Sequence, residues 1–172
     1  FNFEGYIDYQ VEWNDKHRLS VLGLYHQDKQ TTSAQTPYKN QSLSGLLSYQ
    51  LSDRYLVDVG LNYAGVERFR KGDRFGLFPS VAAAWVISEE SFMSGLPAID
   101  HLKLRASVGK TGRSSFDLRY AYRDYYAYSG DYYFGNGSSP TQAMVETALS
   151  NPDLSYETAL TYNIGADIRL WK

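Results

Sequence analysis

Between Phe1 and Trp13 six of the seven odd positions are apolar or aromatic, Gly5 being the exception, and five of the six even ones are polar, Tyr6 being the exception. Phe1, Phe3, Ile7, Tyr9, Val11 and Trp13 interleave with Asn2, Glu4, Asp8, Gln10 and Glu12. A period of two sends alternate side chains to opposite faces of an extended chain, so the two faces meet different solvents. The pattern returns toward Leu170, where Leu160, Tyr162, Ile164, Ala166 and Ile168 oppose Thr161, Asn163, Gly165, Asp167 and Arg169. Both runs outlast the roughly five or six residues of a soluble strand and suit the ~9–11 tilted residues that cross a bilayer as β-structure.

Five further strands follow from the same pattern, for seven in all: His17 to Gln27, Lys39 to Leu51, Tyr55 to Gly65, Leu77 to Ile87 and His101 to Gly109. The second is impure, since Leu22 and Leu24 share a face with Ser20 and His26. Asn14-Asp15-Lys16 and Ser52-Asp53-Arg54 read as tight turns. Ser88 to Asp100 reads as a compact connection holding a helical turn, with Ser88 as N-cap, Glu89 and Glu90 in its first turn, and Pro97 barring further helix. The remaining connections, Asp28 to Pro37, Val66 to Phe75 and an irregular segment from Gly112 to Ser155, are long and polar. Short and long connections therefore alternate, as in outer-membrane barrels with short periplasmic turns and longer extracellular loops. This places Asn14, Asp53 and Glu90 on the periplasmic side, and Gln35, Arg70 and the 112–155 segment outside. Trp13, Tyr55 and Trp171 then fall at the periplasmic interface as girdle aromatics. The expected fold is all-β, an antiparallel transmembrane barrel segment with long extracellular loops, and residues 1–172 form part of one barrel domain. Bacterial single-chain barrels have even strand numbers and no open edge, so seven strands are expected to be part of a larger barrel.

Composition narrows the alternatives. The 172 residues include no cysteine, which excludes disulfides and thiolate metal sites, and a net charge of −2 gives no reason to expect nucleic acid. The longest charge-free apolar stretch, Gly76 to Ser88, contains Pro79 and is too short for a membrane helix. A mean hydropathy of −0.44 is compatible with a barrel, whose strands need only alternate apolar residues. No secretory leader precedes Phe1, so a processed form or a piece of an exported protein is expected. The 16 tyrosines exceed what a core needs and suit wet interfaces and ligand-binding loops. The competing account is a tyrosine-rich soluble β-sandwich.

Three stretches carry a family resemblance. The run from Asp73-Arg74-Phe75-Gly76-Leu77-Phe78-Pro79-Ser80 through Trp85 to Phe92 resembles the barrel signature of SusC/RagA-type TonB-dependent transporters. So do Leu102 to Gly112, and Asn151-Pro152-Asp153-Leu154-Ser155-Tyr156-Glu157-Thr158 followed by Asn163-Ile164-Gly165. The order of the blocks matches, over about Gly45 to Asp167. The resemblance implies a 22-stranded barrel with an N-terminal plug in the outer membrane of Bacteroidota. It also implies a SusD-like lipoprotein lid, energy delivered through TonB, and oligosaccharide or peptide substrates. Plug and TonB-contact segments are not visible in the sequence. A passive porin-like channel is the nearest alternative.

Tyr120, Tyr122, Tyr125, Tyr126, Tyr128, Tyr132 and Tyr133, within Arg119 to Phe134, are candidate contacts to substrate or lid, since aromatic faces stack on sugars and side chains. The plainer account is self-packing that orders a long loop. Glu4, Asp8, Glu12, Asp58, Lys103, Arg105, Asp167 and Arg169 are expected to point inward as a wetted wall laced with ion pairs. Gly109-Lys110-Thr111 lacks the rest of a phosphate loop and no helix follows it. His17, His26 and His101 share no ligand spacing, so no metal or other cofactor is expected. Asn136-Gly137-Ser138 matches a glycosylation acceptor and marks an exposed loop. No nucleophile, base and orienting group converge, so no enzyme activity is expected.

Overall fold

Alternate side chains from Phe1 to Tyr25 and again from Leu43 to Leu51 are mostly apolar, and these stretches are extended. A computed structural model describes residues 1–31, 37–95, 98–114, 120–135, 137 and 139–171. The positions Gln35, Pro97, Arg119, Asn136 and Ser138 singled out above lie outside the described residues. The strands are β1 (Asn2–Trp13), β2 (His17–Gln30), β3 (Tyr38–Leu51), β4 (Tyr55–Val66), β5 (Phe75–Val86), β6 (Ile99–Arg113), β7 (Tyr125–Tyr133), β8 (Pro140–Ala148) and β9 (Glu157–Leu170). Seven form one antiparallel sheet in the order β1-β2-β3-β4-β5-β6-β9, and β7 and β8 pair as a separate hairpin.

Two corrections to the sequence reading follow. The 112–155 segment is not irregular throughout: β6 runs on to Arg113, and the hairpin β7–β8 stands within it. The Ser88 cap does not form either. Two short 3₁₀ turns, Ile87–Glu89 and Ser91–Met93, replace the helical turn without side-chain capping, and the buried Ser88 hydroxyl has no hydrogen-bond partner. With only single turns there are few free N–H groups for a cap to satisfy.

The register from β1 to β5 is unbroken. It aligns Tyr9, Val21, Leu47, Val59, Val81, Val108 and Tyr162 across one face, and Asp8, Leu22, Leu46, Gly60, Ser80, Gly109 and Thr161 across the other. Two of the connections at one end are three-residue turns, and Asn14, Asp15, Ser52 and Asp53 in them all have positive φ. Asn and Asp accept that region through local side-chain hydrogen bonding. At the other end β5 leaves β6 early. Their pairing covers Ser80 to Val86, whereas β6 continues to Arg113 paired with β9. Pro79, with no N–H to donate, stands where the β5–β6 ladder stops.

The sheet covers no core. Among the described residues the buried apolar side chains are Phe69 and Val86 alone. Val57, Val81 and Leu104 are exposed, and Ile164 is 92% exposed, all on one face. A soluble sandwich would bury that face under a second layer. Among the described residues nothing covers it, and hydrocarbon is the solvent that suits it.

Candidate functional site

The polar face comes first because the register builds it directly. Glu4 pairs with His26, Glu12 with Arg18, Ser48 with Asp58, Lys103 with Asp167 and Ser107 with Asn163. Along this face Arg18 lies 3.4 Å from Glu12, Arg105 lies 3.5 Å from Asp167, and Ser44 donates to Asn62 at 3.0 Å. All eight charged residues expected to point inward lie on this face or at its end, where Arg169 pairs with Asp100 at the start of β6. A shallow groove of about 470 Å³ lies among Asp58, Lys103, Arg105, Ser107 and Asn163. Exposed pairs of this kind contribute little stability each, at ~0–1 kcal/mol, so the wall is a wetted surface rather than a framework.

The apolar face ends in aromatics on both sides. At the short-turn end Trp13 stacks on His17, with ring centroids 5.2 Å apart, and His17 Nδ1 meets the Tyr49 hydroxyl at 2.7 Å. On the same face Tyr55 stacks on Trp85 at 6.4 Å. Both of those rings donate to one oxygen of Glu90, Tyr55 at 2.6 Å and Trp85 at 3.1 Å, and Arg54 lies 3.6 Å from the other oxygen. The Glu90 side chain is only 14% exposed. The Tyr55 hydrogen bond, then that of Trp85, and the Arg54 charge together hold its carboxyl below the ordinary range against the effect of burial. Trp171 lies beyond β9 at this end, its N–H bonded to Ala98. At the long-loop end Tyr63 stacks on Phe75 at 5.0 Å and Phe3 packs on Tyr25 at 6.1 Å. Tyr55 and Tyr63 are eight residues apart on β4. At a rise of ~3.3 Å per residue and a tilt near ~40° that is about 20 Å of height, close to the ~25 Å apolar band of an outer-membrane barrel. The sequence reading named Trp13, Tyr55 and Trp171. It missed Trp85, Tyr49 and the whole second belt, though Tyr25, Tyr63 and Phe75 were legible as aromatics at strand ends.

Where β5 and β6 part, an aromatic cluster fills the polar face. Phe69, from the connection between β4 and β5, is 0% exposed. The Tyr156 ring meets it edge-on at 4.7 Å, and meets Phe78 at 5.2 Å. The Tyr156 hydroxyl lies 3.0 Å from the carbonyl oxygens of both Ala64 and Arg74. Burial pushes this phenol up to about 12. Gly76 and Gly112 make room: a Cβ at either position would strike the Phe78 ring. Glu67 ties the same connection to β3, accepting from the Lys39 N–H at 3.0 Å.

The tyrosine segment divides. Tyr120 and Tyr122 contact each other edge-on at 6.1 Å, with the Arg123 guanidinium over both rings. Tyr125, Tyr126, Tyr128, Tyr132 and Tyr133 lie on β7, and of these Tyr126, Tyr128, Tyr132 and Tyr133 are exposed. The structure thus gathers most of the candidate tyrosines on one hairpin strand, whereas Tyr120 and Tyr122 stand at the hairpin's base. Among the described residues no group of three His, Asp or Glu is arranged to hold a metal.

A sheet with no core, belts about a bilayer apart and a charged reverse face is the wall of a membrane barrel. The family model for the TonB dependent receptor-like beta-barrel matches residues 1–172. The chain belongs to that family. It is 34% identical over 129 residues to the TonB-dependent receptor SusC of Bacteroides thetaiotaomicron, a match covering 73% of this chain and 13% of that protein. The TonB-dependent receptor P39 of Formosa agariphila is 30% identical over 166 residues, covering 94% of this chain and 15% of that protein. The chain thus spans under a sixth of the length of these two curated relatives. Among solved structures the RagAB peptide transporter superposes with a TM-score of 0.80 at 18% identity, over 99% of this chain and 21% of that one. The chain is therefore a segment of an outer-membrane TonB-dependent receptor β-barrel, with SusC among its relatives. The soluble β-rich reading is overturned by the family match and by the uncovered apolar face.

Proposed function

We propose that residues 1–172 are wall and outer loops of a single barrel domain in a TonB-dependent importer of oligosaccharides or peptides. In this reading the long-loop end faces outward and the short turns face the periplasm. Trp13, Tyr55 and Trp171, joined by Trp85, form the periplasmic girdle. The hairpin β7–β8 stands over the barrel mouth and presents Tyr126, Tyr128, Tyr132 and Tyr133 to the substrate or to a SusD-like lid. The observation that carries the reading is the combination of a lipid-facing sheet with an exposed, tyrosine-laden arm that no wall strand covers. Exposed aromatic clusters of this kind supply large contact area at low entropic cost. The similarity to the TonB-dependent receptor SusC supports import coupled to TonB, and the likeness to the RagAB peptide transporter supports the fold alone.

The test uses the full-length transporter. Tyr126→Ala with Tyr128→Ala is expected to weaken binding of the purified lid lipoprotein, or uptake of the cognate nutrient, at least tenfold, as aromatic hot spots do. Unchanged affinity and uptake in a folded transporter would retire the capture role. Deleting TonB separates active import from a passive channel, in which uptake would survive.

A further inference from the structure

The hairpin arm is an independent piece of structure. β7 and β8 pair with each other and with no strand of the wall. The arm is closed at its base, where the Asn151 N–H bonds to the Ala121 carbonyl at 2.8 Å. Residues 152–156 then lead from that base back to β9. That return limb is one of the two tethers between the arm and the wall. Tyr156, the last residue before β9, is set in the aromatic cluster at the outer end of the wall. Its hydroxyl bridges the Ala64 carbonyl at the end of β4 and the Arg74 carbonyl just before β5. Its ring wedges between Phe69 and Phe78.

We infer that Tyr156 is a positioning residue: it clamps the return limb of the 121–151 arm to the rim and thereby sets where the hairpin tyrosines stand over the barrel mouth. Three features of the site fit this role. The clamp joins segments far apart in the chain, so it fixes one body against another rather than closing a local turn. Phe69 and Phe78 are themselves held, by the loop tie of Glu67 to β3 and by the space left at Gly76 and Gly112. And the part-buried phenol reaches two backbone carbonyls with its one proton, so a side chain without the hydroxyl gives up the polar tie of the clamp, while the Arg74 carbonyl keeps its bond from the Val66 N–H. Pre-placing the arm spares a later binding event the cost of ordering it. The effect on capture rests on the function proposed above; the effect on arm position does not.

The experiment therefore has two arms, both in the full-length protein. Spin labels at Ser129→Cys on the hairpin and Asn40→Cys on β3, after replacement of any native cysteine, report the arm-to-wall distance distribution with no ligand present. The expected order of widths is wild type, then Tyr156→Phe, then Tyr156→Ala, the last at least twice the first. The mild Phe variant, with retention of the heat-resistant barrel band on gels, keeps the reading clear of misfolding. A Tyr156→Ala distribution as narrow as wild type would overturn the inference. In the second arm, Tyr156→Phe is combined with Tyr126→Ala and Tyr128→Ala, with the purified lid lipoprotein as probe. Tyr156→Phe is expected to weaken binding about three- to tenfold alone and to do nothing once the hairpin tyrosines are gone. If the hairpin variant binds normally, the capture role fails and the clamp stands or falls on the distances. Full additivity of the two changes would show that Tyr156 acts on binding by another route and would refute its positioning role.

Discussion

The sharpest consequence of the two-faced wall is that neighbouring residues in one strand should tolerate the same substitution very differently. Leu47 and Ser48 are adjacent on β3. Leu47 sits among Val21 and Val59 on the apolar face, and Ser48 between Ser20 and Asp58 on the polar one. Leu47 lies four residues from Leu51, the end of its strand. At ~3.3 Å per residue and a tilt near ~40° that is about 10 Å above the turn, near the middle of the ~25 Å band. An arginine there faces hydrocarbon at its most costly depth, about 2–4 kcal/mol. At 1.4 kcal/mol per tenfold this is a roughly 30- to 700-fold fall in the folded-to-unfolded ratio. Ser48→Arg places the same guanidinium in water beside the Asp58 carboxylate, with an expected change of about 0–1 kcal/mol in either direction. Urea titration of the full-length barrel in lipid vesicles, followed by the gel shift between folded and unfolded forms, reads both. The reasoning is refuted if Ser48→Arg costs as much as Leu47→Arg, or if Leu47→Arg shifts stability by less than about 0.5 kcal/mol, the ordinary range for a surface change.

Two further outcomes follow from the ends of the wall. Because the folded Glu90 carboxyl titrates below its ordinary value of 4.5, its ties to Tyr55, Trp85 and Arg54 stabilise the fold fully above that value and are lost as pH falls through the lowered one. The difference in urea midpoint between wild type and Glu90→Gln should therefore be constant at neutral pH and shrink below pH 4.5; a difference that does not vary with pH would contradict it. Gly112→Ala drives a methyl into the Phe78 ring, which Tyr156 boxes in, and should destabilise the barrel by about 1–3 kcal/mol, as overpacking does. Adding Phe78→Ala should recover part of that loss in the same titration, and no recovery would mean that the strain lies elsewhere.

The wall was legible from the sequence because its signal is local. Every second residue reports its solvent, and the strand ends at Trp13, Leu51 and Tyr55 needed no knowledge of partners. The hairpin escaped because its alternation is blurred: Tyr125 and Tyr126 are adjacent, as are Tyr132 and Tyr133, so both faces carry the same side chain and no contrast of period two remains. The Ser88 cap failed for a related reason. The acidic residues after it resemble a helix start, yet Glu90 is drawn to the ring donors of Tyr55 and Trp85. Tyr156 and Phe69 could not be found locally. One precedes a strand and the other lies in a charged connection, and only the parting of β5 from β6 brings them together. The candidate tyrosines were named from their clustering in a long outer segment, and the hairpin then separates Tyr120 and Tyr122, in edge-on contact at its base, from those exposed along β7.

The unbroken pairing from β1 to β5 also governs how this stretch of polypeptide can change in length. Deleting one residue within β3 would rotate everything up to the next tight turn, sending Leu47 to water and Asp58's partner to lipid. The three-residue turns, committed to positive φ at four positions, leave no slack to absorb the slip. Growth and shrinkage over evolutionary time are thus channelled to one rim, where new peptide can be added beyond the membrane without disturbing a single pair below it.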